Sequence, residues 1–180
     1  MKKEKSVFLC NRKFHYLAAI CGIFVLIILD QFTKYLVLEN LKGNPPFVLL
    51  ENIFQLEYLE NRGAAFGLFQ NQRVFFFLSV IVINIAAVWF YGKVPMTRRY
   101  LPLRLCAVGI IAGAWGNCID RIRLDYVVDF LYFKLIDFPI FNVADIYVSV
   151  GTAVLAVLIL FYYKEEELNR LLDGRKKGAV

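Results

Sequence analysis

Two aspartates stand in sequence that is hostile to charge. Asp129 lies in VVDFLYF and Asp145 in FNVADIYVSVG, each beside a long apolar run. Placing a carboxylate near hydrocarbon costs roughly 3 kcal/mol or more, so an ionisable residue there points to function. Two carboxylates sharing one site cannot both ionise easily, and one keeps a proton. The ionised partner can take a proton from a water attacking a carbonyl. The protonated partner can donate to the carbonyl oxygen and then to a leaving amine. That is acid–base hydrolysis suited to a peptide bond, and it needs neither metal nor cofactor. Other chemistries lack their residues. The one histidine, His15, falls at the opposite end of its span from the acids, and no HExxH, Walker or dinucleotide glycine pattern is present. The four cysteines, Cys10, Cys21, Cys106 and Cys118, show no CxxC spacing, which argues against zinc and against a disulfide framework.

The elements that must position these acids are membrane spans. The 180 residues are 59% hydrophobic and 16% aromatic, with a mean hydropathy of +0.57, outside the range of soluble domains. A spanning helix needs ~20 mostly apolar residues. Four runs qualify: Tyr16–Val37, Val74–Tyr91, Leu101–Ile119 and Ile146–Tyr163. The first is too long for a signal-peptide core and no A-x-A-like site follows it, so it reads as a retained anchor. The net charge of +6 reflects topology rather than a nucleic-acid surface. Lysines and arginines crowd the N-terminal tail (Lys2, Lys3, Lys5, Arg12, Lys13), the short loop with Lys93, Arg98, Arg99 and Arg104, and the C-terminal tail. Both termini are therefore expected in the cytoplasm, with 38–73 and 120–145 facing outward. Those outward segments, FVLLENIFQLEYLEN and YVVDFLYFKLIDFPIF, are rich in β-branched and aromatic residues and read as short strands at the membrane boundary. The AAFGLF stretch after the turn at Asn61-Arg62-Gly63 reads as a short interfacial helix. The expected fold is an all-α polytopic membrane protein: four transmembrane helices with a small extracytoplasmic β-sheet and that interfacial helix, in one domain over 1–180.

On this topology Asp30, Asn117, Asp120, Arg121, Asp129, Asn142 and Asp145 fall at one depth, near the outer leaflet. Asp30 lies roughly 20 Å into the first span at ~1.5 Å per residue. One-sided clustering suits a surface site better than a path across the bilayer. A proton-coupled transporter would line acids through the full depth, whereas the second span carries only Ser79 and Asn84 in its middle. A non-enzymatic scaffold is a third reading. Structural alternatives also stand residue by residue. Asp145 suits a helix N-terminus, Asn142 a cap and Asn61 a turn. Asp120 with Arg121 suits an ion pair or helix-end anchor, and Arg121 could snorkel to headgroups.

The motifs NRGAAFG (61–67), GNCIDR (116–121) with VVDF (127–130), FNVAD (141–145) and LDQFTK (29–34) resemble, in order and spacing, those of the lipoprotein signal peptidase family. The resemblance covers nearly the whole chain, and the set is far more specific than any one motif. It implies an aspartic endopeptidase of the bacterial cytoplasmic (inner) membrane. Such an enzyme removes signal peptides from prolipoproteins by cutting before a diacylglyceryl-modified cysteine, and the cyclic peptide globomycin inhibits it. The catalytic dyad would fall on Asp129 and Asp145. Asn61, Gly63, Asn117, Arg121 and Asn142 would line the site, and Asp30, Lys34, Asp120 and Ala144 would support it. Membrane lipid and lipidated precursors are the implied partners, and nothing demands more than a monomer. One position departs from the family pattern: Asp125 stands where the family usually has glycine. Aspartate tolerates positive φ better than most residues, so the turn is expected to survive.

Overall fold

The computed structural model describes residues 12–63 and 73–173, with the side chains of 73–76 and 172–173 left aside. Chain order is α1 (Arg12–Asn40), β1 (Phe47–Leu50), β2 (Phe54–Asn61), α2 (Arg73–Lys93), α3 (Leu101–Leu124), β3 (Val127–Tyr132), α4 (Val143–Val157) and α5 (Glu165–Asp173). Short 3₁₀ turns precede α3 and follow β3, and α4 continues into a π turn over Leu158–Tyr162. Three of these segments are long and apolar enough to cross a membrane: Arg12–Asn40, Arg98–Leu124 and Val143–Tyr162. In α2 the apolar stretch is shorter, Phe77–Lys93. The chain is thus a polytopic helical membrane protein with three long apolar spans among the described residues and a small open sheet. The AAFGLF segment lies outside the described residues.

The first helix is inverted relative to one of a soluble protein. In α1 the buried residues are Asp30, Lys34 and Val37, one stripe at i, i+4 and i+7, while Phe24, Ile28 and Phe32 are exposed. Apolar side chains facing outward and charges facing inward are what a hydrocarbon solvent selects. At the centre is α3, which packs on α1, α2 and α4. Its contact with α4 is a seam of small residues. A Cβ on Gly113 would meet the Ala144 carbonyl oxygen and lie 2.7 Å from Val148 Cγ2. One on Gly116 would lie 2.5 Å from Asp30 Oδ2. Backbones this close are how membrane helices gain packing without a hydrophobic drive.

The sheet, in order β1-β2-β3, is antiparallel throughout. It rests on the α1 end through Val37, Leu41, Tyr126, Val128 and Phe130. Three features fix where β3 lies. Asp125 ends α3 in the left-handed region at φ 70°, so the departure from glycine keeps the turn. The Val128 N–H donates to Asp120 Oδ2 (3.2 Å), anchoring the strand to the last turns of α3. Leu131 and Phe141 exchange backbone bonds of 2.8 and 3.1 Å, which returns the chain beside β3 just before α4 begins. Spans read from hydropathy stop short at this end. The third helix runs on to Leu124 and the fourth starts at Val143, because polar Asp120, Arg121 and Asn142 interrupt the apolar run without interrupting the helical hydrogen bonds.

Candidate active site

The strand register brings the acids together. Leu59 pairs with Asp129 and Asn61 with Val127, so Asn61 and Asp129 share a sheet face. Asn61 Nδ2 donates to Asp129 Oδ2 at 2.7 Å, and Asn61 Oδ1 accepts from the Gly63 N–H at 2.9 Å. Asn61 thus makes a turn bond and reaches the Asp129 carboxyl with the same side chain. Asn142 is likewise double. It caps α4 in a capping box, accepting from the Asp145 N–H (3.0 Å) while its own N–H donates to Asp145 Oδ2 (3.1 Å). Its Nδ2 donates to Asp129 Oδ1 at 2.6 Å and to Asn117 Oδ1 at 3.1 Å. Asn117 Nδ2 in turn donates to Asp145 Oδ1 at 2.7 Å. The two carboxylates are therefore joined by the amides of Asn142 and Asn117. Arg121 reaches across to the Gly63 carbonyl (3.0 Å) and its own helix at Asn117 O (3.3 Å).

Beneath this lies a buried ionic layer. Lys34 Nζ sits 3.0 Å from Asp30 Oδ2, 2.9 Å from Asp120 Oδ2 and 2.9 Å from Asn117 Oδ1. Asp30 Oδ1 accepts from the Ala144 N–H at 2.9 Å, so α1 holds the first turn of α4. The ion pair of Asp120 is with Lys34, correcting the pairing with Arg121 that adjacency in sequence suggested. Its anchoring role holds, through the Val128 N–H. Sequence reasoning missed Gln31, whose Nε2 donates to Asp120 Oδ1 (2.8 Å), Asp30 Oδ2 and Gly116 O. It also missed the Gly113 part of the α3–α4 seam, although a small residue every fourth position on a span is a readable sign.

The pair is asymmetric. Asp129 is 1% exposed, while Asp145, Asn61, Asn117 and Arg121 are half-buried and form the accessible side. Burial, and then the nearby Asp145 charge, push the Asp129 carboxyl up to about 7 against the opposing bonds from Asn61 and Asn142 and the charge of Lys34. A carboxyl that titrates near neutral beside a second carboxyl is a group able to both give and take a proton, which is what general acid–base chemistry requires.

The fold and this site define a polytopic membrane protein built around one buried and one half-buried aspartate. A family model described as signal peptidase (SPase) II matches residues 22–161. The lipoprotein signal peptidase of Caldanaerobacter subterraneus is 42% identical over 144 residues, covering 79% of this chain and 96% of that one. That of Streptococcus thermophilus is 44% identical over 145 residues, covering 81% and 92%. Two solved structures are also similar. One, a bacterial membrane enzyme determined by the in meso method at 2.3 Å, has a TM-score of 0.66 at 28% identity, covering 91% of this chain and 94% of that one. The other, determined at 1.9 Å by the same method, has a TM-score of 0.68 at 30% identity over 81% and 94%. The chain belongs to the signal peptidase II family, the lipoprotein signal peptidases, and with it to the aspartic-type membrane hydrolases of bacteria.

Proposed function

We propose that the chain, as one integral membrane peptidase domain, removes signal peptides from prolipoproteins by cleaving before the diacylglyceryl-modified cysteine, with Asp129 and Asp145 as the catalytic pair. The observation that carries the assignment is the linkage of these two carboxylates through Asn142 and Asn117, with Asp129 held up to about 7. Water enters from the Asp145 side. One carboxylate accepts a proton from it as its oxygen attacks the scissile carbonyl carbon. The protonated partner donates to the carbonyl oxygen, giving a tetrahedral diol. Collapse of the diol breaks the C–N bond, returns that proton to the partner, and places the other on the leaving amine of the cysteine. Asn142 and Asn61 hold Asp129 in register, and Arg121 holds the Gly63 turn over the site.

In this reading α2 is the fourth crossing, both termini are cytoplasmic, and the site opens near the outer leaflet, where a lipid-bearing cysteine and an apolar signal helix arrive without leaving the membrane. The protein acts as a monomer on lipidated precursors in membrane lipid, without nucleic acid. The test is cleavage of a diacylglyceryl-modified prolipoprotein by purified protein in detergent, beside Asp129→Asn and Asp145→Asn. Cutting before the lipidated cysteine, blocked by globomycin and absent in both folded variants, is the expected result. An inert wild type, or variants that still cut, refutes the assignment.

A further inference from the structure

The face of β2 opposite Asn61 carries a second polar cluster. Its centre is Glu60. Glu60 Oε1 accepts from Lys42 Nζ at 3.2 Å and from the Tyr58 hydroxyl at 3.0 Å, and Oε2 accepts from Arg62 NH2 at 3.0 Å. Lys42 also reaches the Tyr126 hydroxyl at 3.2 Å, and the Tyr58 and Tyr126 hydroxyls share a bond of 3.1 Å. The Lys42 ammonium lies 5.5 Å and 5.7 Å from the two ring centroids, and the Arg62 guanidinium 5.4 Å from that of Tyr126. Partial burial opposes ionisation of Glu60, but these bonds outweigh it and hold the carboxyl below its usual range.

Each member comes from a segment that leads into the site. Lys42 follows the end of α1. Tyr126 lies between the left-handed Asp125 that ends α3 and the start of β3. Glu60 and Arg62 flank Asn61, the residue bonded to Asp129, and Arg62 precedes Gly63, whose carbonyl holds Arg121. Single exposed ion pairs contribute little to stability, and Lys42 and Arg62 are half exposed. A network closed through two hydrogen-bonded phenols instead fixes geometry, here that of the last residues of β2.

We propose that Glu60, held by Lys42, Tyr58 and Arg62, is a positioning residue that sets the Asn61–Gly63 turn against Asp129 and Arg121. It works from the far face of the sheet and touches no reacting atom. The inference rests on the hydrolytic reading above. Releasing the turn costs Asp129 the Asn61 bond, which favours its ionised form, so the pair holds its second proton to higher pH.

The experiment is kcat and KM against pH for wild type, Glu60→Ala and Glu60→Gln on a lipidated precursor in detergent. Glu60→Ala is expected to lower kcat about tenfold or more, as small misplacements do, with KM within about threefold. The alkaline limb of kcat moves up by about one pH unit. Glu60→Gln keeps an acceptor oxygen and recovers most of the rate. An unchanged kcat and limb for Glu60→Ala overturns the proposal. So does a lost rate with an unmoved limb and no recovery by glutamine, which marks a merely structural cluster. If Glu60→Ala does not fold, Tyr58→Phe and Lys42→Met must show the same upward limb, and their failure to do so overturns it equally. A wild type that does not cleave refutes the functional reading itself, whereas a cleaving wild type with an indifferent Glu60→Ala sinks this inference alone.

Discussion

Asn142 does two jobs that substitution can separate. As a cap it satisfies the Asp145 N–H, worth about 1 kcal/mol. As a bridge it donates to the Asp129 carboxyl, a charge-assisted bond worth about 2 kcal/mol when the acceptor is ionised. Asn142→Ala loses both, and about 3 kcal/mol of stability above neutral pH is expected to go. At about 2–4 °C per kcal/mol for a chain of this size, the melting temperature in detergent falls by roughly 6–12 °C. Asn142→Ser keeps a capping oxygen, since serine and asparagine cap about equally well, but its shorter side chain gives up the bridge. It is expected to melt about 2–4 °C above Asn142→Ala. The kinetic signature is shared. Without the donor, the ionised form of Asp129 is disfavoured by about 2 kcal/mol, and the titration near 7 rises by about 1.5 units in both variants. Thermal unfolding and the pH dependence of kcat measure the two effects independently. If Asn142→Ser keeps the wild-type pH profile, the bridge does not set the protonation of Asp129, and the reasoning fails.

Asp129 also imposes a pH dependence on stability. Its carboxyl is raised in the fold, so its contribution is full below about pH 4 and is lost as pH rises to about 7, by up to roughly 4 kcal/mol, levelling above that. The melting temperature of wild type relative to Asp129→Asn should fall across that window, and a flat difference would contradict the assignment. Gly116→Ala places a methyl 2.5 Å from Asp30 Oδ2 and 3.1 Å from Ala144 Cβ. A loss of about 1–3 kcal/mol from overpacking is expected in thermal unfolding, and a wild-type melting temperature would show that the seam yields freely. Asp125→Gly should be neutral or slightly stabilising at φ 70°, while Asp125→Val should cost about 1–2 kcal/mol. Equal melting temperatures for the two would show that the turn does not need the left-handed region.

What sequence could reveal depended on whether a residue looked costly where it stood. Asp129, Asp145 and Asp30 were legible because acids in apolar sequence call for a reason. Asn61 and Asn142 were ambiguous between turn, cap and site, and the fold gives each side chain both a turn or cap bond and a bond to the Asp129 carboxyl. Gln31 lies inside LDQFTK but carries no signal of its own, because a glutamine beside Asp30 in a helix reads as ordinary helix former. Glu60, Lys42 and Tyr126 likewise looked like exposed polar residues of loops and strand ends. Their meeting depends on β2 pairing with β3 and on the turn at Asp125, which composition does not specify. The ends of α3 and α4 were misplaced for a related reason: hydropathy reports the solvent around a helix, whereas its hydrogen bonds continue through polar turns.

The ionic layer beneath the acid pair explains why the amides point as they do. A buried ion pair is weak support for stability, because desolvation offsets most of its attraction. Here its value is directional. The three protons of Lys34 are committed to Asp30, Asp120 and Asn117 Oδ1. Asn117 Oδ1 receives a second donor from Asn142, which fills both its lone pairs. Asn117 is then left with only its NH2 to present to Asp145, and Asn142, whose oxygen is taken by the α4 cap, with only its NH2 to present to Asp129. The donor that meets Asp145 is thus oriented from α1, and the donor that meets Asp129 from the α4 cap. Lys34→Met would remove the constraint from α1 together with a positive charge that favours the ionised form of Asp129. It also leaves the buried Asp30 and Asp120 carboxylates without their cation, at a cost of about 3–5 kcal/mol. The expected outcome is a lower melting temperature and, in the folded protein, an alkaline limb of the kcat profile that moves to higher pH as Asp129 loses the Lys34 charge. An alkaline limb that stays in place in the folded variant would mean that the Lys34 charge does not set the protonation of Asp129.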